Sequence, residues 1–213
     1  MAEEIHDATV TAYYHYRESD ESGRITKVVT GERNVTISQF HEQRHQFRWL
    51  EVNGRRLNDA ELRRELIPWR IQELAIRETK LPFTPAHRSA YRFFAAGRDT
   101  WHGTTCWRIG FAPTRRGLGY LRGDALINPA DSNVIRLCFT PASRPPLVSD
   151  LRLRLDYGAI RGYWLPTSFV MQLEVTLKLV HTLVHRHIWI QEDYSDYSFN
   201  VPRGRSQIES PAR

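Results

Sequence analysis

Three histidines near the end of the chain, His181, His185 and His187, have the spacing that best fits chemistry at a single site. Side chains an even number of residues apart project from the same face of a β-strand, so three imidazoles on one face would suit a metal ion. The spacing matches no helical metal motif, and the first carboxylate that follows is Glu192. The alternative is a polar strand end, and we favour it. We therefore expect neither a metal nor another cofactor.

Two cysteines, Cys106 and Cys138, are the next candidates. We consider three interpretations: a disulfide, a nucleophile and two inert thiols. The strands predicted around them are separated by one neighbour, which puts them about 10 Å apart and too far for a disulfide. A nucleophilic cysteine needs a histidine and a group that orients it, and the sequence shows no such set. We expect two buried, inert thiols.

The sequence contains none of the short motifs that carry nucleotide binding, acyl transfer or dithiol chemistry. There is no Gly-x-Gly-x-x-Gly, Walker loop, Gly-x-Ser-x-Gly or Cys-x-x-Cys. The paired carboxylates Glu3-Glu4 and Asp20-Glu21 fall in a terminus and a turn, where water solvates them. We expect no catalytic residue, and a protein that is not an enzyme is favoured.

Alternating apolar and polar residues predict the elements of the first half. Val10, Ala12, Tyr14 and Tyr16 form one face of a strand that pairs with 24–31, and 34–40 pairs with 45–52 in a second hairpin ending at the Asn53-Gly54 turn. A helix over 58–80 follows, capped by Asn58 or Asp59 and kinked at Pro68.

The second half is a run of strands separated by segments rich in Gly, Pro and Asn, which predicts an antiparallel meander. The fold class is therefore mainly β (α+β), with a curved antiparallel sheet forming an incomplete barrel and the kinked helix covering its concave apolar face. The predicted strands are 101–111, 119–127, 134–140, 151–157, 169–179 and 184–199.

Composition limits the class of protein. The chain has 213 residues, 41% hydrophobic residues and a net charge of +6, and only three of its thirty basic residues are lysine. These values fit one folded domain over 1–201, a disordered tail over 202–213 and a monomer. No apolar run is long enough for a transmembrane helix. The arginines are scattered, so they permit an anionic partner without requiring one, and no nucleic acid is expected.

The alternation brings many apolar residues to one face of successive strands. One interpretation is that this apolar face forms an ordinary packed core. One helix is too little to cover so many strands, which leaves room for an apolar cavity. The candidate ligand-binding residues that line it are Trp107, Ile109, Phe111, Ile135, Leu137, Phe139, Leu153, Leu155, Phe169, Met171 and Leu173.

Motifs in this half resemble the bacterial outer-membrane lipoprotein carrier (LolA/LolB-like) superfamily, above all its exported lipoprotein-sorting-like members. The resemblance implies an incomplete β-barrel with helices over an apolar cavity, in the periplasm, that binds acyl chains of lipoproteins or lipids. It also implies that a signal peptide was removed and that a membrane protein is a further partner. The motifs are WHGTTCWRIGFAP (101–113), GDALINPAD (123–131), GYWLP (162–166) and DYSDYSF (193–199), with VNGRRLNDAE (52–61) before them.

Three hypotheses follow for the function. The first is a periplasmic carrier or binding protein for a lipoprotein acyl chain, a lipid or another amphiphile, without catalysis. The second is an enzyme on the same scaffold that acts on a hydrophobic substrate through His and Arg side chains at the cavity mouth. The third is a protein-interaction module, for which binding would depend strongly on salt.

Overall fold

The computed structural model describes residues 7–38, 43–65, 82–115, 117, 119–143, 148–179 and 182–200. Eleven strands form one sheet, and every described pair of neighbours is antiparallel. The strands are β1 (Asp7–Ser19), β2 (Ile25–Ser38), β3 (Gln43–Val52), β4 (Arg55–Arg56), β5 (Tyr91–Trp101), β6 (Thr104–Pro113), β7 (Leu121–Ile127), β8 (Val134–Pro141), β9 (Val148–Ile160), β10 (Tyr163–Leu179) and β11 (Thr182–Asn200).

The sheet consists of two meanders joined by the first and last strands. Its order is β4-β3-β2-β1-β11-β10-β9-β8-β7-β6-β5, so β1 pairs with β11 and brings the two halves together. Strands β4 and β5 are the two edges, and the described sheet does not close on itself. The predicted antiparallel, open architecture is confirmed.

The kinked helix over the apolar face is not supported. The described α-helix, α1 (Asp59–Glu65), has seven residues, and the rest of the predicted range, including Pro68, lies outside the described residues. A helix of this length is about 10 Å long, whereas ten strand spacings extend about 48 Å. Helix α1 is therefore too short to cover the sheet.

The predicted start of the helix is confirmed. The side-chain oxygen of Asn58 accepts hydrogen bonds from the backbone N–H groups of Ala60 and Glu61, both at 3.0 Å. The Glu61 carboxylate in turn accepts from the Asn58 N–H at 3.0 Å. This reciprocal arrangement is a capping box, and it satisfies backbone donors that have no partner inside the helix.

Several strand boundaries differ from the prediction, and two of the differences are large. Strand β2 is continuous through Ser38, so 24–31 and 34–40 belong to one strand. The predicted separator over 158–166 shrinks to a two-residue turn at Arg161 and Gly162, whose φ values of 50° and 84° suit a tight hairpin.

Strand β5 is absent from the sequence prediction. All its residues from Arg92 to Thr100 are exposed, so the sequence lacks the alternation that marks a half-buried strand. A register shift between Ala95 and Gly97 interrupts its pattern further.

Most of the described core lies on one side of the sheet. Buried clusters form around Phe111 and Leu137 on β6–β8, around Val10 and Tyr197 on β1 and β11, and around Tyr14 and Leu50 on β1–β3. The predicted face of Val10, Ala12 and Tyr14 is confirmed as buried. The predicted tail over 202–213 lies outside the described residues.

Candidate functional site

Two rows of directly paired residues run side by side across the sheet, and we call them the apolar rows. Each row takes one residue from each of ten consecutive strands, β5 to β3 through the β11–β1 junction. The first is Phe93–Phe111–Gly123–Phe139–Leu153–Met171–Ile190–Tyr16–Val29–Val52, and the second is Ala95–Ile109–Ala125–Leu137–Leu155–Phe169–Glu192–Tyr14–Gly31–Leu50. Paired residues point to the same side of a sheet, so the two rows make one continuous strip.

Eight of the eleven predicted ligand-binding residues lie in the apolar rows. They are Ile109, Phe111, Leu137, Phe139, Leu153, Leu155, Phe169 and Met171. Trp107 and Leu173 flank the rows on the same side, because each lies two positions from a row residue in its strand. The register therefore brings ten of the predicted residues to one face of the sheet.

Ile135 is placed elsewhere. It packs against Cys106 and Leu126, in a cluster separate from that of Leu137 and Phe139. The reason is a β-bulge: Leu126 pairs with Arg136, but Ile127 pairs with Val134, so Ile135 has no direct partner on β7. A bulge inserts one residue and breaks the alternation that the sequence prediction assumed.

The exposure of the predicted residues varies along the rows. Phe111, Leu137 and Phe139 are buried, and Leu153 and Leu155 pack against them. Ile109, Phe169, Met171 and Leu173 are half-buried. Trp107 is 44% exposed, which gives the face an accessible apolar border on β6.

Described segments outside the sheet contact the apolar rows at two places. Leu57 and Leu62 pack on the cluster of Tyr14 and Leu50. At the other end, the Phe83 ring lies 5.4 Å from that of Phe93 and 5.8 Å from that of Phe111. These contacts fall at the two ends of the rows.

A buried polar cluster interrupts the apolar rows between β2 and β11. Arg33 Nη2 donates a hydrogen bond to Glu192 Oε1, and the Tyr194 hydroxyl donates to Glu192 Oε2 at 2.8 Å. Both charged side chains are less than 10% exposed. The Arg33 guanidinium also lies over the Phe47 ring, 5.7 Å from its centre. The charge of Glu192 is thus compensated within the apolar surface.

The same surroundings affect the pKa of Tyr194. Burial, followed by the negative charge of Glu192, raises the pKa of Tyr194 well above its usual value. A neutral phenol is therefore held beside the carboxylate, which it serves as a hydrogen-bond donor.

Sequence reasoning missed this cluster, although a signal exists. Glu192 follows Ile188 and Ile190 at the inward positions of β11, and Arg33 lies between Gly31 and Val35 at the inward positions of β2. A charge at a position where alternation demands an apolar residue indicates a buried partner.

The predicted separation of the two cysteines and the burial of Cys106 are confirmed, whereas Cys138, predicted to be buried, is only half-buried. Both are free, and their strands β6 and β8 are separated by β7. Cys106 is fully buried. Cys138 is half-buried, and its burial, followed by the negative charge of Asp124, raises the pKa of the thiol. A raised pKa disfavours the thiolate, which fits an inert thiol rather than a nucleophile.

The histidines contact the neighbouring strand. His185 Nδ1 lies 3.1 Å from Thr176 Oγ1, and His187 Nδ1 lies 3.5 Å from Glu174 Oε1. His181 lies outside the described residues. Within the described ranges, no group of three His, Cys, Asp or Glu side chains is arranged to hold a metal ion, and no helix there is long and apolar enough to cross a membrane.

The chain is similar in structure to three bacterial proteins. One is an outer membrane lipoprotein-sorting protein domain from Vibrio parahaemolyticus, with 12% identity, a TM-score of 0.42 and coverage of 94% of this chain and 88% of that one. The second is a DUF1329 family protein from Desulfovibrio piger, with 9% identity, a TM-score of 0.41 and coverage of 93% and 87%. The third is a LolA superfamily protein from Nitrosomonas europaea, with 12% identity, a TM-score of 0.37 and coverage of 90% and 86%.

Sequence comparison gives no relative. No family model matches the chain, and no curated protein matches it.

Proposed function

We propose that the protein is a carrier or binding protein for an amphiphile, and that its apolar rows receive the acyl chain of a lipoprotein or lipid in the bacterial periplasm, without catalysis. The observation that carries the proposal is the extent of the rows, which run across ten strands with only the charge-compensated Arg33–Glu192 pair among them and have half-buried Leu155 and Phe169 in the middle. An extended apolar strip of this kind suits an elongated apolar ligand better than a compact polar one.

The dimensions and energies fit an acyl chain. Ten strands at about 4.8 Å spacing give a strip on the order of 40 Å long, enough for an extended chain. Each methylene removed from water contributes about 0.8 kcal/mol, so a long chain buried on the rows contributes on the order of 10 kcal/mol. Half-buried side chains such as Phe169 and Met171 have room to change rotamer as a chain enters.

The polar cluster is compatible with this ligand. Because Glu192 is paired with Arg33 and accepts a hydrogen bond from Tyr194, the carboxylate lies in the strip without an uncompensated charge. An acyl chain that passes over it therefore meets a neutral hydrogen-bonded unit.

A fluorescence titration with a neutral apolar dye, N-phenyl-1-naphthylamine, tests the proposal. The natural chain should increase the emission of the dye, and a long-chain fatty acid should displace it. Phe169→Gln should weaken dye binding at least fivefold, because it places an amide in the middle of the rows. Phe94→Gln is the matched control, since Phe94 is 54% exposed and alternates with row residue Phe93 on β5.

Leu173→Gln, at the flank of the rows, provides a second variant in case Phe169→Gln does not fold. The circular dichroism spectrum and Tm of every variant should be measured first. Equal dye binding by the natural chain and both face variants would refute the proposal, as would no binding at all. A native mass spectrum of protein purified from a bacterial periplasm should then show a lipid-sized adduct that denaturation releases.

A further inference from the structure

A groove of about 410 Å³ lies over strands β7–β10, on the side of the sheet opposite the apolar rows. Cys138 and Thr140 of β8 line it and alternate with row residue Phe139. The polar side chains that line it further are Arg122 of β7, Asp150, Arg152 and Arg154 of β9, and Gln172 of β10. Its apolar lining includes Val170 of β10 and two residues of the apolar rows, Phe139 and Leu153. We call it the arginine groove, because three guanidinium groups contribute to its walls.

The groove lies where the pairing of two strands ends. The described β8–β9 ladder stops at Phe139–Leu153, whereas β9 stays paired with β10 as far as Val148–Val175. Beyond Phe139, therefore, Thr140 and Pro141 diverge from β9 and leave a gap between the strands. The groove therefore lies where the register of these strands leaves β8 and β9 unpaired.

Arginines stand on both sides of this gap. Arg122 pairs with Thr140 across one flank, and Arg154 pairs with Cys138 across the other. The Cα atoms of β7 and β9 are two strand spacings apart, about 10 Å. Long arginine side chains from the two strands can thus reach a group that sits over β8.

The positive charge in the arginine groove is only partly compensated. No described residue forms an ion pair with Arg122. Arg154 Nε is buried without a hydrogen bond, and its nearest carboxylate, Asp156 Oδ2 at 3.4 Å, already accepts a bond from Arg136 Nη2 at 3.0 Å. Arg154 therefore shares one carboxylate with Arg136, and its side chain, 40% exposed, can donate to an oxyanion in the groove.

The third arginine has a partner on its own strand. Arg152 Nε lies 2.8 Å from Asp150 Oδ2, but the Arg152 side chain is 73% exposed. An exposed ion pair of this kind is weak, so Arg152 can turn toward an anion at little cost.

We propose that the arginine groove binds the phosphate group of a small organic phosphate ester. A phosphate offers several oxygens at once and suits guanidinium groups that approach from two sides, because each can donate two parallel hydrogen bonds. The apolar contacts of Val170 would lie under the organic part of the ligand. The proposal does not rest on the function of the apolar rows, since the arginines that would hold the phosphate alternate with row residues and face the opposite side of the sheet.

The phosphate can come from a soluble ester or from a lipid headgroup, and two probes distinguish these sources. The first is glycerol 3-phosphate, and the second is dihexanoyl phosphatidic acid below its micelle concentration. Cys138, on the groove floor, reports occupancy, because a bound ligand should slow its alkylation by iodoacetamide. Isothermal calorimetry provides a measurement that does not use the thiol.

Protection of Cys138 should saturate with at least one probe and slow alkylation at least fivefold. Arg122→Gln and Arg154→Gln should each weaken the binding of that probe at least tenfold. Arg98→Gln, on exposed β5, is the matched control and should leave the affinity within twofold. Equal affinity for both probes identifies a soluble ester, and tighter binding of the phosphatidic acid identifies a lipid headgroup.

Two results would overturn the proposal. One is the absence of calorimetric heat and of Cys138 protection with both probes at millimolar concentration. The other is an equal loss of affinity in Arg98→Gln and Arg122→Gln, which would mean that binding reflects net charge alone. Neither result bears on the apolar rows, because dye binding to Phe169→Gln and Phe94→Gln tests them separately.

Discussion

Arg33 of β2 and Glu192 of β11 form a buried ion pair that crosses the strand between them. Their Cα atoms are not paired with each other: Arg33 pairs with Ala12 of β1, and Glu192 pairs with Tyr14 of β1. The guanidinium therefore passes over β1, where Ala12 is small and fully buried. The ion pair thus joins the two meanders at the same place as the β1–β11 ladder.

Removing one partner of this pair should destabilise the fold. Glu192→Leu leaves the Arg33 charge buried without a carboxylate, and the expected loss in the free energy of unfolding is about 3–5 kcal/mol. Arg33→Met should cost a similar amount. Urea unfolding followed by tryptophan fluorescence gives both values.

The double variant Arg33→Met/Glu192→Leu separates a buried charge from lost packing. With both charges gone, apolar groups of similar volume fill the space, and most of the lost stability should return. If the losses in the free energy of unfolding of the two single variants simply add in the double variant, the two side chains are not coupled. The ion pair then does not help to join the meanders.

Gly123 is a place where the chain tolerates no side chain. A Cβ atom at this position would lie 2.0 Å from the backbone oxygen of Cys138 and 2.8 Å from the Cα atom of Phe139. Because the obstacle is backbone of β8, Gly123→Ala should cost about 2–3 kcal/mol of unfolding free energy. Gly158→Ala is the control: its Cβ meets the Thr167 methyl group at 3.0 Å, which can shift more readily. Equal Tm values for the two variants would contradict this prediction.

The strands that bury one face and expose the other could be predicted from the sequence. The strand whose two faces are equally exposed could not. On β1 the alternation of Val10, Ala12 and Tyr14 marks a half-buried strand, and the structure confirms it. On edge strand β5 both faces are exposed, so its sequence does not alternate between apolar and polar residues. The order of the sheet was missed for another reason. Only tertiary pairing brings the first strand beside the last, and local periodicity does not contain that information.

The candidate site was predicted to a similar extent and for similar reasons. Alternation alone places Phe111, Leu137 and Leu155 on one face, and in the structure Leu155 packs against the cluster that holds Phe111 and Leu137. Ile135 lies apart from these residues because of a single β-bulge, and the sequence contains no signal that predicts it. The arginine groove depends on where the β8–β9 ladder ends, and a strand pattern cannot specify that.

The two thiols should differ in reactivity. Cys106 is fully buried, so it should react with iodoacetamide only when the chain unfolds. Cys138 is half-buried with a raised pKa, so it should react more slowly at pH 8 than a free cysteine. Because the folded chain holds the proton more tightly, its alkylation rate should keep rising above the pH where a model thiol levels off.

Mass spectrometry of the alkylated chain checks both statements, and the urea-unfolded chain is the control, in which both sites should react at the same rate. Fast labelling of Cys106 in the folded chain would contradict the burial of this side chain. If the alkylation rate of Cys138 levels off at a lower pH than that of a model thiol, the raised pKa of Cys138 is contradicted.

Tyr197 makes the stability of the β10–β11 region sensitive to alkaline pH. Its hydroxyl donates a hydrogen bond to the backbone oxygen of Pro166 at 2.5 Å, and burial raises the pKa of Tyr197 to about 12 from a usual value of 10.0. The folded chain therefore favours the neutral phenol. Its contribution to stability is fully present below pH 10 and is lost as the pH rises through about 12.

Tyr197→Phe removes the ionisable group together with its hydrogen bond. The variant should be less stable than the natural chain at pH 8, because the Pro166 oxygen loses a donor. Between pH 10 and 12 its stability should fall less steeply, since one ionisation coupled to folding is gone. Urea unfolding at several pH values measures both effects, and Tyr13→Phe, at a residue 41% exposed, is the control. If the natural chain and Tyr197→Phe lose stability in parallel above pH 10, the phenol of Tyr197 does not titrate with folding.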